Sequence, residues 1–210
     1  MKMAERVKNV LDLLEEEYPD ADCALVHRNV YELLVCVTLS AQTTDISVNK
    51  ITPYLFEKYP DAFSMAEANR EDVADIIKTI GLYKTKSERI IQQAKVLVKD
   101  YDGNVPESDE FLMKLPGVGR KTANVVMSVG FGHQRIAVDT HVFRVSNRIG
   151  IAKGDTVQKT EDSLKNHIPK KRLSKAHHLL IFHGRNCCYA RNPKCEKCRI
   201  ENYCKKTGLK

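Results

Sequence analysis

The sequence predicts an all-α protein. Apolar residues recur at helical spacing along most of the chain, and no stretch of any length alternates apolar and polar as a half-buried strand does. The punctuation agrees: short turns marked by proline, glycine and capping residues, with no repeat, low-complexity tract or long linker.

Residues 4–18 place Val7, Val10, Leu11, Leu14 and Tyr18 on one face, so an amphipathic helix should end before Pro19. Cys23 and His27 follow in a connecting segment and read as packing residues. Residues 30–39 are a near-continuous apolar run whose length suits a buried helix, with Cys36 as inert core and Thr44 or Asp45 capping the next helix. From 46 to 100 the helical patterns are broken at Pro53, Pro60 and Gly81. Residues 102–106 form a loop, and Ser108 caps a helix that runs towards Leu115.

Leu115-Pro116-Gly117-Val118-Gly119-Arg120-Lys121-Thr122 organises the chain. Pro116 stops the preceding helix, and Gly117 and Gly119 permit a turn too tight, or too close to a neighbour, for side chains. The apolar pattern resumes after Arg120, so the turn feeds a new helix. Unpaired amides at such a helix start suit an anion, a phosphate oxygen in particular. Lys121 faces the positive end of the same dipole, a placement poor for structure and useful for an amine nucleophile. Further on, Val138-Asp139-Thr140-His141 opens another helix. Asp is a favoured N-cap, and capping by itself accounts for Asp139.

At 210 residues, 42% apolar and 29% charged, the chain has the length and composition for one large or two small domains with proper cores. Its net charge of +7 is unevenly spread. Residues 165–210 hold 13 Lys and Arg against two acids, a net +11 that leaves the first 164 residues at −4. A basic end on a mildly acidic body points to a polyanion held on one face. No run approaches the roughly 18 to 20 apolar residues of a membrane span. Glu15, Glu16 and Glu17 stand where a signal peptide would be apolar, so a cytoplasmic protein with reduced thiols is expected.

Cys188, Cys195, Cys198 and Cys204 give C-x6-C-x2-C-x5-C within 17 residues. Four thiolates so close together in a reducing cell require a metal centre. Zinc is the general reading of a four-cysteine site, although zinc ribbons use two C-x2-C knuckles and only one occurs here. An iron–sulfur cluster is the alternative. Cys187, beside Cys188, leaves the register open.

These motifs resemble the endonuclease III family of helix-hairpin-helix DNA glycosylases. The resemblance runs through Leu-Pro-Gly-Val-Gly-Arg-Lys-Thr-Ala at 115–123, Leu-Ser-Ala-Gln-Thr-Thr-Asp at 39–45, Gly-Leu-Tyr-Lys-Thr-Lys at 81–86, Val-Asp-Thr-His at 138–141 and the cysteine spacing. It covers nearly the whole chain. It implies a six-helix barrel domain of residues 22–133, with 1–21 and 134–210 forming a second helical domain that carries a [4Fe–4S] cluster, and an active site in the cleft between them. Implied roles are Lys121 as Schiff-base nucleophile and Asp139, 18 positions later, as catalytic carboxylate. Gln42 would fill the gap left by an extruded nucleotide and Leu82 would wedge between the opposite bases. Leu115, Gly117, Val118, Gly119, Arg120, His141, Arg191 and Lys194 would contact DNA. Family spacing selects Cys188, not Cys187, as the first cluster ligand.

The activity implied is a glycosylase and AP lyase that removes oxidised pyrimidines. Its partner would be duplex DNA with a damaged base or abasic site, met by a monomer in the bacterial cytosol. Met113 and Lys114 depart from relatives that carry an acidic side chain just before the hairpin. Monofunctional glycosylases of the same fold lack the lysine at position 121. A non-catalytic DNA-binding or iron–sulfur sensor protein is the rival from another class.

Overall fold

Every regular element of the described residues is helical. The computed structural model describes residues 1–209 and divides into two compact units, one of residues 1–22 with 133–210 and one of residues 23–132.

Helix α1 (Met3–Glu17) opens the first unit and buries Val7, Val10, Leu11 and Leu14, the stripe its spacing predicts. The second unit begins at Cys23. Its helix α2 (Val30–Leu39) is buried on nearly every side, which is why its apolar run shows no period. Thr44 caps α3 (Asp45–Lys58) by accepting from the Ser47 amide. Pro53 does not break this helix, contrary to the sequence expectation. An interior proline costs about 3 kcal/mol. Burial of Val48, Ile51, Leu55 and Phe56 on the same helix, at roughly 1.5–3 kcal/mol each, outweighs it.

Two short helices, α4 (Ala62–Ala66) and α5 (Arg70–Ile76), lead to α6 (Tyr83–Tyr101), the longest in the chain. Next come α7 (Asp109–Lys114), capped by Ser108, and α8 (Arg120–Val125), which continues as a π-helical turn over Val126–Gly130. The sequence shows no sign of that turn. A Cβ on Gly130 would meet Val30 and Leu33 of α2 at 3.0–3.2 Å, so helix and turn lie closely packed there.

A continuous apolar core from Leu25 to Met127 fills this unit. Through it, α6 reaches the glycine turn: buried Gln93 donates Nε2 to the Pro116 carbonyl at 2.7 Å and to the Thr38 hydroxyl of α2 at 3.1 Å.

The first unit resumes with α9 (Thr140–Ile149), α10 (Val157–His167) and α11 (Leu173–Asn186). Arg172 joins this bundle to α1 through Asp12 at 2.5 Å and Glu15 at 2.8 Å. Among the described residues beyond α11, only two 3₁₀ turns, Cys195–Lys197 and Glu201–Tyr203, are regular. This last segment hangs from the end of α9, with the Lys205 and Thr207 amides donating to the Ile149 and Arg148 carbonyls, each at 3.0 Å.

Candidate functional site

In the second unit, the glycine turn joins α7 to α8. Gly117 adopts φ +77°, the left-handed region that side chains avoid, and a Cβ there would strike the Arg89 side chain at 2.6 Å. Both reasons foreseen for a glycine apply to it. Neither applies to Gly119, whose φ of −104° suits any residue and whose missing Cβ would meet nothing within 4 Å. Leu115 and Val118 are buried, so only their main-chain groups can face a ligand. Arg120 and Lys121 are exposed on the first turn of α8.

Two other turns of this unit hold residues in the left-handed region that are not glycine. Gln42, between α2 and α3, has φ 55°, and Leu82, the N-cap of α6, has φ 60°. Leucine there costs about 1–2 kcal/mol, and this one is also 54% exposed. An apolar side chain that is both strained and wet gains nothing from the fold. The two turns are neighbours, since a Cβ on Gly81 would lie 3.9 Å from the Gln42 carbonyl oxygen.

In the first unit, Asp139 caps α9, its Oδ1 accepting from the Val142 amide at 2.7 Å, and the half-buried carboxylate is thereby fixed in direction. His141 is half-buried, with Nδ1 3.2 Å from Arg144 Nη2. Burial holds its pKa below the usual histidine value, with Asp139 acting against that and the Arg144 and Arg185 charges adding to it. Arg191 and Lys194 are exposed on the loop between the first two cysteines of the spacing, and Lys194 stands over the Tyr189 ring at 5.2 Å.

The four cysteines of the spacing come together. Cys188, Cys195, Cys198 and Cys204 line one pocket, with Cys187 and His183 in its wall. Burial pushes the Cys198 thiol up to about 12 and raises Cys204 and Cys187 as well. Thiols so reluctant to ionise become thiolates only beside a cation, so this donor set fits a thiophilic metal centre. Cys187 and Cys188 differ in their bonding. The Cys188 sulfur receives Arg148 Nη1 at 3.4 Å, whereas the Cys187 sulfur donates to the Lys194 carbonyl at 3.6 Å. His183 was not singled out in the sequence. Its Nε2 lies 3.6 Å from the Cys198 sulfur, and its Nδ1 lies 3.4 Å from the Tyr18 hydroxyl.

A glycine hairpin opening on an exposed lysine, in an all-helical chain with a four-cysteine pocket, defines a class. Residues 35–170 match the HhH-GPD superfamily of base excision DNA repair proteins. The chain is 47% identical to endonuclease III of Rickettsia conorii, over 96% of each chain. It is 46% identical to endonuclease III of Bacillus subtilis, over 95% of this chain and 92% of that one. Its structure superposes on a trapped endonuclease III–DNA covalent intermediate with a TM-score of 0.92 at 46% identity, covering 98% of this chain and 97% of the other. The chain belongs to the endonuclease III family.

Proposed function

We propose that this chain is a bifunctional DNA glycosylase and AP lyase of base excision repair, acting on oxidised pyrimidines in duplex DNA, with Lys121 as nucleophile and Asp139 as its carboxylate partner. The observation that carries the reading is Lys121 itself. Its side chain is exposed at the start of α8, directly after the hairpin. An exposed lysine is available to a substrate, and the relative solved as a covalent DNA intermediate supplies the chemical precedent.

The chemistry follows from the two groups. A base inside a duplex is out of reach and is extruded first. As the glycosidic bond stretches, positive charge develops at C1′, which the Asp139 carboxylate stabilises. The Lys121 amine forms a bond to C1′ while the base leaves with the bonding pair. The proton lost by the amine passes to Asp139. The nitrogen lone pair then breaks the C1′–O4′ bond, O4′ taking up the proton held by Asp139 as the sugar ring opens, and the resulting iminium acidifies the C2′ hydrogen. Its removal breaks the C3′–O bond by β-elimination, and water then hydrolyses the Schiff base to restore the amine.

Gln42 and Leu82 fill the space left in the duplex, as wedges do in other minor-groove binders. Their exposure and left-handed backbones support that role. Main-chain amides from Leu115 to Arg120 hold phosphate. At Gly119, where the fold has no need of glycine, a side chain would stand in the path of the strand. His141, Arg191 and Lys194 contribute further DNA contacts.

Cys188, Cys195, Cys198 and Cys204 would hold a [4Fe–4S] cluster, which would supply a structural cross-link for the Arg191 and Lys194 loop; the chemistry above needs no redox turnover from it. Family spacing selects Cys188 and Arg148 donates to its sulfur, whereas the ligand atoms that lie within 4.8 Å of one another belong to His183, Cys187 and Cys198, so taking Cys188 as the ligand rests on the spacing. A cytoplasmic monomer acting on the chromosome fits this chemistry.

Single-turnover assays on duplexes with an oxidised pyrimidine or an abasic site test the proposal. Wild type should release base and nick the strand together. Lys121→Ala should do neither while still binding DNA. Base release by wild type with no nick would favour a monofunctional glycosylase, and binding without either reaction would leave a DNA-binding or sensor protein.

A further inference from the structure

Lys86 has the largest of the fully buried side chains, at 1% exposure, and no role in the chemistry above uses it. Its Nζ donates to the Thr43 hydroxyl at 2.7 Å, and among the described residues no carboxylate pairs with it. Burial lowers its pKa, and the nearby Arg89 charge adds to the effect. Burial without a counter-ion disfavours an ammonium, and a methionine of similar shape would pack there without that penalty. Packing therefore does not account for a lysine.

Its connections do. The Lys86 amide donates to the Leu82 carbonyl at 2.9 Å, in the opening turn of α6, while its side chain reaches Thr43, the residue after Gln42. One residue thus bonds both turns that carry strained, exposed side chains. Those turns are 40 positions apart, Gln42 to Leu82, so a local hydrogen bond of either turn fixes only itself. A left-handed non-glycine residue persists only where its surroundings over-determine it.

We infer that Lys86 is a positioning residue for base extrusion, binding the Gln42 turn to the Leu82 turn through Thr43 so that both side chains enter the duplex as one rigid wedge. The inference rests on the role proposed above for Gln42 and Leu82. A loose wedge would let the gap close before the nucleotide reached the pocket.

Lys86→Met and Thr43→Val test it in the full-length protein. Each should slow single-turnover base excision about tenfold while half-saturation changes less than about twofold, because misplacement acts on rate rather than on binding. The double variant should be no slower than either single one. A 2-aminopurine beside the lesion should show the lost amplitude of nucleotide extrusion, a signal that general destabilisation does not produce. In a Gln42→Ala/Leu82→Ala background, Lys86→Met should have no further effect. Additive rates, or an undiminished effect in that background, would overturn the inference. Thr43→Val removes only a hydroxyl, so the question stays answerable if Lys86→Met fails to fold. Amide exchange in the free protein separates the two levels. Exchange rising together at both turns in Thr43→Val supports the link, and a rise at one turn only refutes it. Unchanged extrusion in Gln42→Ala/Leu82→Ala would refute the wedge reading instead.

Discussion

The two units hold themselves together differently. Thirty buried apolar residues make up the core of residues 23–132, against twenty in the core of the unit of residues 1–22 and 133–210. The shortfall is concentrated at the end of the chain. After Leu180, only Cys188 and Ile200 are buried apolar residues among those described. A segment so thin in core cannot offset its ordering entropy by burial alone, and the thiol pocket lies where that deficit is greatest. The apolar unit instead has stability to spare for three strained or exposed turns, at Gln42, Leu82 and Gly117. One unit is held by its apolar packing; the other, in the function proposed, would depend on metal ligation to hold its basic loop.

That contrast can be broken at several points. The largest effect belongs to the chemistry: Lys121→Ala should lower strand cleavage by about a thousandfold or more, with thermal stability unchanged within about 0.5 kcal/mol. Next comes the metal centre. Cys198→Ser should cost several kcal/mol in the terminal segment, read as lost amide protection over 188–207 with protection retained over 30–127. Equal loss in both units would erase the distinction.

Within one turn, the two hairpin glycines differ in what they contribute to the fold. Gly117→Ala should destabilise the fold by about 1–3 kcal/mol, from left-handed strain and the Arg89 clash. Gly119→Ala should cost under about 1 kcal/mol in a denaturant melt yet weaken binding to abasic duplex. The smallest effect concerns Cys36, fully buried, with a thiol pushed up to about 12 by burial. Its pKa is raised in the native state, so the stability it contributes is complete below the unfolded thiol value of about 8.5. That contribution drains as pH rises through it. Cys36→Ala should flatten this alkaline loss, and alkylation mapped at pH 9 should leave native Cys36 unmodified while half-buried Cys23 reacts.

What the sequence made legible was local. Thr44, Ser108 and Asp139 cap the helices they were expected to cap, because a cap depends on residues two or three positions away. Pro116 and Gly117 are read from their own backbone limits. Pro53 was misread because tertiary burial of α3 overrides a proline that, taken alone, would end a helix.

In the sites, the four cysteines were legible from spacing, whereas the difference between Cys187 and Cys188 came from Arg148 and Lys194, which no spacing rule places. Lys86 and His183 were missed for a related reason. Lysine on an amphipathic helix normally faces water, and only a hydroxyl 43 residues away marks Lys86 as buried and bonded. The one sign available was its place four residues after Leu82, one turn along the same face of α6.

The most direct trial of the account is the address of the covalent bond. Wild-type protein is reacted with abasic duplex under borohydride, digested, and the DNA-bearing peptide sequenced by mass spectrometry. The adduct should sit on Lys121 and nowhere else. An adduct on another lysine or on the N-terminal amine, with Lys121 unmodified, would contradict the mechanism set out for this chain.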